Sequence, residues 1–88
     1  MEMSNRANKE RRIFDIYKAD LMKDGDFTRF NVIQYLCQFT GIDPYEMAAS
    51  IIADGYKVYF DDSSISTQAN KSNEAKVRRL LKERKDQK

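Results

Sequence analysis

Eighty-eight residues make one small domain, and 41% apolar with 34% charged residues is an ordinary globular balance. With no histidine and one cysteine, the chain lacks the usual general base and the commonest metal ligand, and it has no internal disulfide. The formal charge of +2 is unevenly spread: residues 1–20 carry +1, residues 21–62 carry −4 and residues 63–88 carry +5.

No apolar run approaches the roughly 20 residues that span a bilayer, and no signal-peptide pattern opens the chain, so a cytoplasmic protein without membrane contact is expected. Residues 1–8 show no periodic apolar pattern and are expected to form a flexible N-terminus. From Lys9 to Lys23 a helix fits, with Ile13, Phe14, Tyr17 and Leu21 on one face. The basic run Lys9 to Arg12 reads as its solvated start.

Lys23-Asp24-Gly25-Asp26 stops this helix and starts the next, with Asp26 or Thr28 as the expected cap. The stretch is not a calcium loop. Aligned to that template through Asp20, Asp24 and Gly25, it puts Met22 where an oxygen ligand is needed and Asn31 where a bidentate Glu should stand.

Thr28 to Gly55 reads as two helices joined by a tight turn, and the turn carries several signals that agree. Gly41 takes a left-handed conformation, Ile42 staples the turn, Asp43 caps the next helix, Pro44 opens it and Glu46 faces its positive end. Phe30, Ile33, Leu36 and Cys37 gather on one side of the first helix. Val32, Tyr35 and Phe39 are apolar on its other sides, which predicts a helix wrapped by neighbours on several faces. In the second helix Met47, Ala48, Ile51 and Ile52 form the inward stripe, small Ala48, Ala49 and Ala53 admit a close neighbour, and Asp54-Gly55 ends it.

After Gly55 the period changes to two. Tyr56, Val58 and Phe60 alternate with Lys57 and Tyr59, which predicts a strand; Asp61 to Ser64 reads as a turn and Ile65 to Thr67 as a returning strand of a β-hairpin. If no such return forms, the strand needs a partner from another chain, and either a homodimer or a strand-addition complex is expected. Residues 68–72 are a linker by composition, and residues 73–88 form a basic C-terminal helix and tail, with Asn70 or Ser72 as cap and a narrow seam of Val77, Leu80 and Leu81. The fold class expected is thus α-rich: residues 9–67 make a three-helix core with a helix-turn-helix-like pair plus the hairpin, followed by the basic helix.

Two functional classes compete. Counted from Ile33 as a DNA-binding helix-turn-helix, Cys37 is fifth, Gly41 ninth, Ile42 tenth and Met47 fifteenth, with residues 56–67 as a wing. Thr40 and Ser50 replace two expected apolar contacts, and the would-be recognition helix offers Tyr45, Glu46, Ala49 and Ser50, with Asp43 and Asp54 at its ends and no cation. Phosphate would repel it. Nucleic acid is more reasonably met by the basic tail, with Lys71, Lys76, Arg78, Arg79, Arg84 and Lys57 as phosphate contacts and Tyr56 and Tyr59 as stacking rings.

The preferred expectation is a small non-enzymatic regulator, inhibitor or adaptor that binds a protein partner. Its surface would be the outer face of the last helix, with Arg78, Arg79, Lys82 and Lys85, helped by Tyr45 and Tyr59. Asp61-Asp62 and Asp24/Asp26 are carboxylate pairs in polar turns, and no nucleophile–base pair or phosphate-cradling loop accompanies them. No catalytic residue, metal or cofactor is therefore expected, and Cys37 on an apolar face reads as a buried small hydrophobe.

Overall fold

The turn after residue 37 organises the computed structural model, which describes residues 2–23 and 25–86. Helix α2 (Phe30–Cys37) enters the turn and helix α3 (Pro44–Ala53) leaves it. Gly41 sits at φ +74°, where a Cβ would be strained, and its N–H donates to the Cys37 carbonyl at 3.1 Å. The Asp43 carboxylate then accepts the Tyr45 N–H at 2.9 Å, satisfying one of the free amides of α3, while Pro44 occupies a position that needs no donor.

Three further elements close around this pair. Helix α1 (Glu2–Leu21) precedes strand β1 (Phe27–Arg29), which runs directly into α2; strand β2 (Lys57–Tyr59) follows α3, and helix α4 (Thr67–Asp86) comes last. The two strands pair in parallel, Phe27 with Lys57, Thr28 with Val58 and Arg29 with Tyr59. Parallel pairing needs a crossover, and here the crossover is the whole α2–turn–α3 unit. Thr28 is buried and Val58 half-buried, while Phe27, Arg29, Lys57 and Tyr59 face out.

The core is assembled mainly from the central pair of helices. Ile33 of α2, Met47 and Ile51 of α3, and Val77 of α4 are completely or almost completely enclosed, and Phe30, Cys37, Ala48, Ala49 and Met22 join them. Ala48 and Ala49 present no bulk, so α4 can lie along α3. Phe14, Tyr17 and Leu21 of α1 pack against this cluster. Phe30 lies between Phe60, centroids 5.1 Å apart, and Tyr45 at 5.2 Å, which ties α2 to the β2 exit and to α3.

Several expectations change. No hairpin forms among the described residues: the partner of β2 is β1, and residues 65–67 lead into α4 instead. The wing of a winged helix-turn-helix is therefore not built, and the strand needs no second chain. The supposed linker, residues 68–72, is helical because Ser66 caps α4, its hydroxyl accepting the Ala69 N–H at 3.1 Å. Asn70 is not a cap; it exchanges hydrogen bonds with both backbone groups of Asp62, at 3.1 and 2.9 Å, and so fastens the β2 exit to α4. At the other end, α1 begins at Glu2 and not at Lys9, so residues 2–8 of the stretch expected at 1–8 are helical, and residue 1 lies outside the described residues. Neither Asp26 nor Thr28 caps α2, whose N-cap is Arg29 without a side-chain bond, because residues 27–29 are committed to the sheet.

Candidate interaction surface

Helix α4 is the element on which most candidate residues sit, and its position is fixed by an apolar seam and by polar ties to α3 and to the β2 exit. Val77 is fully buried, with Leu80 and Leu81 half-buried beside it. The Tyr45 hydroxyl donates to the Asn73 side-chain oxygen at 3.0 Å. Near the other end Arg84 pairs with Glu46 and donates to the Ser50 hydroxyl at 3.2 Å. These bonds span from the first turn of α3 to its middle, so α4 is held along its length.

That docking sorts the cations. At about 100° per residue from Val77, Lys85, Arg78, Lys71 and Lys82 fall within a narrow arc on one flank. All four are exposed, and Arg78 shares this flank with Glu74, its ion-pair partner at 2.7 Å one turn earlier. Arg79 is exposed on the far side. Lys76 lies over the Tyr45 ring, 5.0 Å from its centroid, and Lys57 is on the outer face of the sheet. The candidate phosphate contacts Lys71, Lys76, Arg78, Arg79, Arg84 and Lys57 are thus divided over separate surfaces, and Arg84 points into the α3–α4 seam.

The two tyrosines also separate. Tyr45 is half-buried between Phe30 and Asn73, so it packs the core edge. Tyr59 is 44% exposed against Phe27, centroids 5.4 Å apart, beside an ion pair between Arg29 and Asp61 at 2.8 Å. It lies on the outer face of the sheet.

A second surface was missed by the reading of α2 as a helix wrapped on several sides. Val32, Tyr35 and Phe39 are 40%, 60% and 68% exposed, with Tyr35 and Phe39 in edge-to-face contact at 5.3 Å. Their periodicity gave the signal, since 32, 35 and 39 form a stripe opposite Ile33 and Cys37; what sequence could not supply was the number of neighbouring helices. The buried side of α2 faces α3, while α1 shares a cleft with Val32 at its C-terminal end and another with residues 40–43 near its middle.

Among the described residues no group of three His, Cys, Asp or Glu is placed to hold a metal. Cys37 is buried with its thiol 3.6 Å from the Met47 sulfur, and burial, aided by the Asp43 charge, pushes its pKa up. Asp62 is held below the usual carboxylate range by the Ser64 hydroxyl at 2.6 Å and the Ser64 N–H at 2.9 Å. Both groups serve local structure. No helix among the described residues is long and apolar enough to cross a membrane. Comparison with protein-family models, with curated proteins and with solved structures finds no match in any of the three.

Proposed function

We propose that this chain is a non-catalytic binding protein, of the regulator, inhibitor or adaptor kind, and that the exposed flank of α4 docks on an acidic protein surface. The observation that carries this reading is the alignment of Lys71, Arg78, Lys82 and Lys85 along about 21 Å of one docked helix, at 1.5 Å per residue. Arg79 lies outside this arc, and Tyr59 is left to the sheet. Because the body between residues 21 and 62 carries −4, the surface has two signs, and a partner with complementary charge would be steered into one orientation.

Nucleic acid is the second reading, favoured by the same flank. It is weakened by the scatter of the other cations and by the acidic body, which would meet a long polyanion with repulsion. Groove reading by α3 has the least support. Tyr45 is packed, Glu46 and Ser50 are engaged by Arg84, and Ala49 is buried, so the residues that would face bases are occupied.

The test is a salt titration of binding to an acidic polypeptide, to random duplex DNA and to single-stranded DNA. The expected result is salt-sensitive binding to the polypeptide, weakened at least about tenfold when Arg78→Glu and Lys82→Glu are combined. Wild-type affinity in that double variant refutes the α4 flank as the site. Tighter binding to DNA than to the polypeptide at equal ionic strength transfers the flank to nucleic acid.

A further inference from the structure

The outer face of α2 calls for an occupant of different chemistry. From Phe30 to Gly41 there is no charged side chain, in a chain that is 34% charged, and α2 is the one helix of the four without a charge. Its exposed apolar residues are Val32 and Tyr35, continued by Phe39 in the turn that follows, and the exposed amides Asn31 and Gln38 flank them. Ile16, 64% exposed, lies one turn from Ile13 and from Asp20 on α1, and of these Asp20 lines a cleft with Val32 while Ile13 lines one with residues 40–43.

We infer that this face is covered by a second copy of the chain, with two α2 helices antiparallel across a two-fold axis at Tyr35. A two-fold contact sets every patch against itself, so like charges there are penalised. The α4 flank would meet cation with cation, and the acidic turns anion with anion. The α2 face meets no such cost, and its amides can donate and accept across the axis in either direction. With the axis at Tyr35, that ring opposes its twin, and Phe39 of each copy covers Asn31 and Val32 of the other.

The area sets the strength. Val32, Tyr35, Phe39 and Ile16 expose on the order of 350 Å² of side chain, within the range of the largest apolar patches on monomers, 300–600 Å². Covered on both copies with its amide rim, the face buries about 1,000 Å² in total, at the low end for a specific interface. An interface this small is expected to be weak and separable by dilution, and it is independent of whatever binds α4.

Sedimentation equilibrium from about 5 to 500 μM tests this. The expected average mass rises from 10.3 kDa toward twice that value. Phe39→Glu and Tyr35→Glu should each hold the protein at monomer mass while its helical circular dichroism and melting curve are unchanged, since both side chains are solvent-exposed. In a second arm, Tyr35→Cys should form a disulfide-linked dimer under mild oxidation. Wild type should not, because Cys37 is buried, and neither should Ile65→Cys, which is exposed elsewhere. A wild type that stays monomeric throughout the range overturns the inference, as does a dimer that survives Phe39→Glu.

Discussion

Truncating Val77 to alanine tests whether α4 is docked, on which the orientation of its cationic flank depends. Val77 is fully buried and is the only completely enclosed residue of α4 among those described. Removing two methyl groups forfeits about 1.6 kcal/mol of transfer free energy at ~0.8 kcal/mol each, and the unfilled space adds roughly 1 kcal/mol. Alanine's better helix propensity returns ~0.5 kcal/mol, leaving a net loss near 2 kcal/mol. For a domain of this size that lowers Tm by about 8–16 °C, at ~4–8 °C per kcal/mol. Urea and thermal unfolding followed by circular dichroism measure it, with exposed Arg79→Ala as the control expected within about 0.5 kcal/mol of wild type. If Val77→Ala is as small an effect as the control, α4 does not pack on α3 as described, and the sorting of its cations fails with it.

Gly41→Ala is expected to cost about 1–2 kcal/mol although no atom lies within 4 Å of the added Cβ, because the whole penalty is backbone strain at φ +74°. Gly25→Ala, which meets only ordinary contacts at 3.7 Å, should change stability by less than about 0.5 kcal/mol; equal losses at both sites in urea titrations would contradict the turn geometry. Burial, aided by Asp43, raises the folded pKa of Cys37 above the ordinary thiol value, so the thiol's stabilising contribution is complete below that ordinary value and is lost as pH rises through the folded one. The stability advantage of wild type over Cys37→Ala should therefore narrow between pH 8 and pH 10.5. An advantage that holds or grows would be incompatible with a buried neutral thiol.

Local chemistry was legible from sequence wherever one residue type had one conformational reason to be present. Gly41, Asp43 and Pro44 each act within two or three residues of themselves, and all three appear where the turn requires them. The alternation of Tyr56 to Phe60 was equally readable, with 56, 58 and 60 half-buried and 57 and 59 exposed. Pairing was not. Phe27–Arg29 is too short to show a period, and its partner lies 30 positions away, so nothing local could distinguish a parallel crossover from a hairpin. The start of α4 was hidden because Thr67 to Asn73 is polar, and the helix there is secured by Ser66 and by the hold of Asn70 on Asp62 rather than by an apolar stripe. On the surface, the exposed α4 flank followed from helical spacing, but the diversion of Arg84 into the seam did not, since only the fold brings it to Glu46 and Ser50.

The separation of the two strands along the chain also bears on the order of assembly. Closing their ladder over so long an intervening segment is costly before both helices and the turn between them are in place, so the sheet is expected to form late, on a body already shaped. Weakening it, as by Val58→Ala, is expected to shorten the lifetime of the native state while leaving the rate of refolding nearly untouched, a partition that stopped-flow traces would record. Persistence of the fold, rather than the speed of reaching it, is then what these six paired residues would be expected to govern.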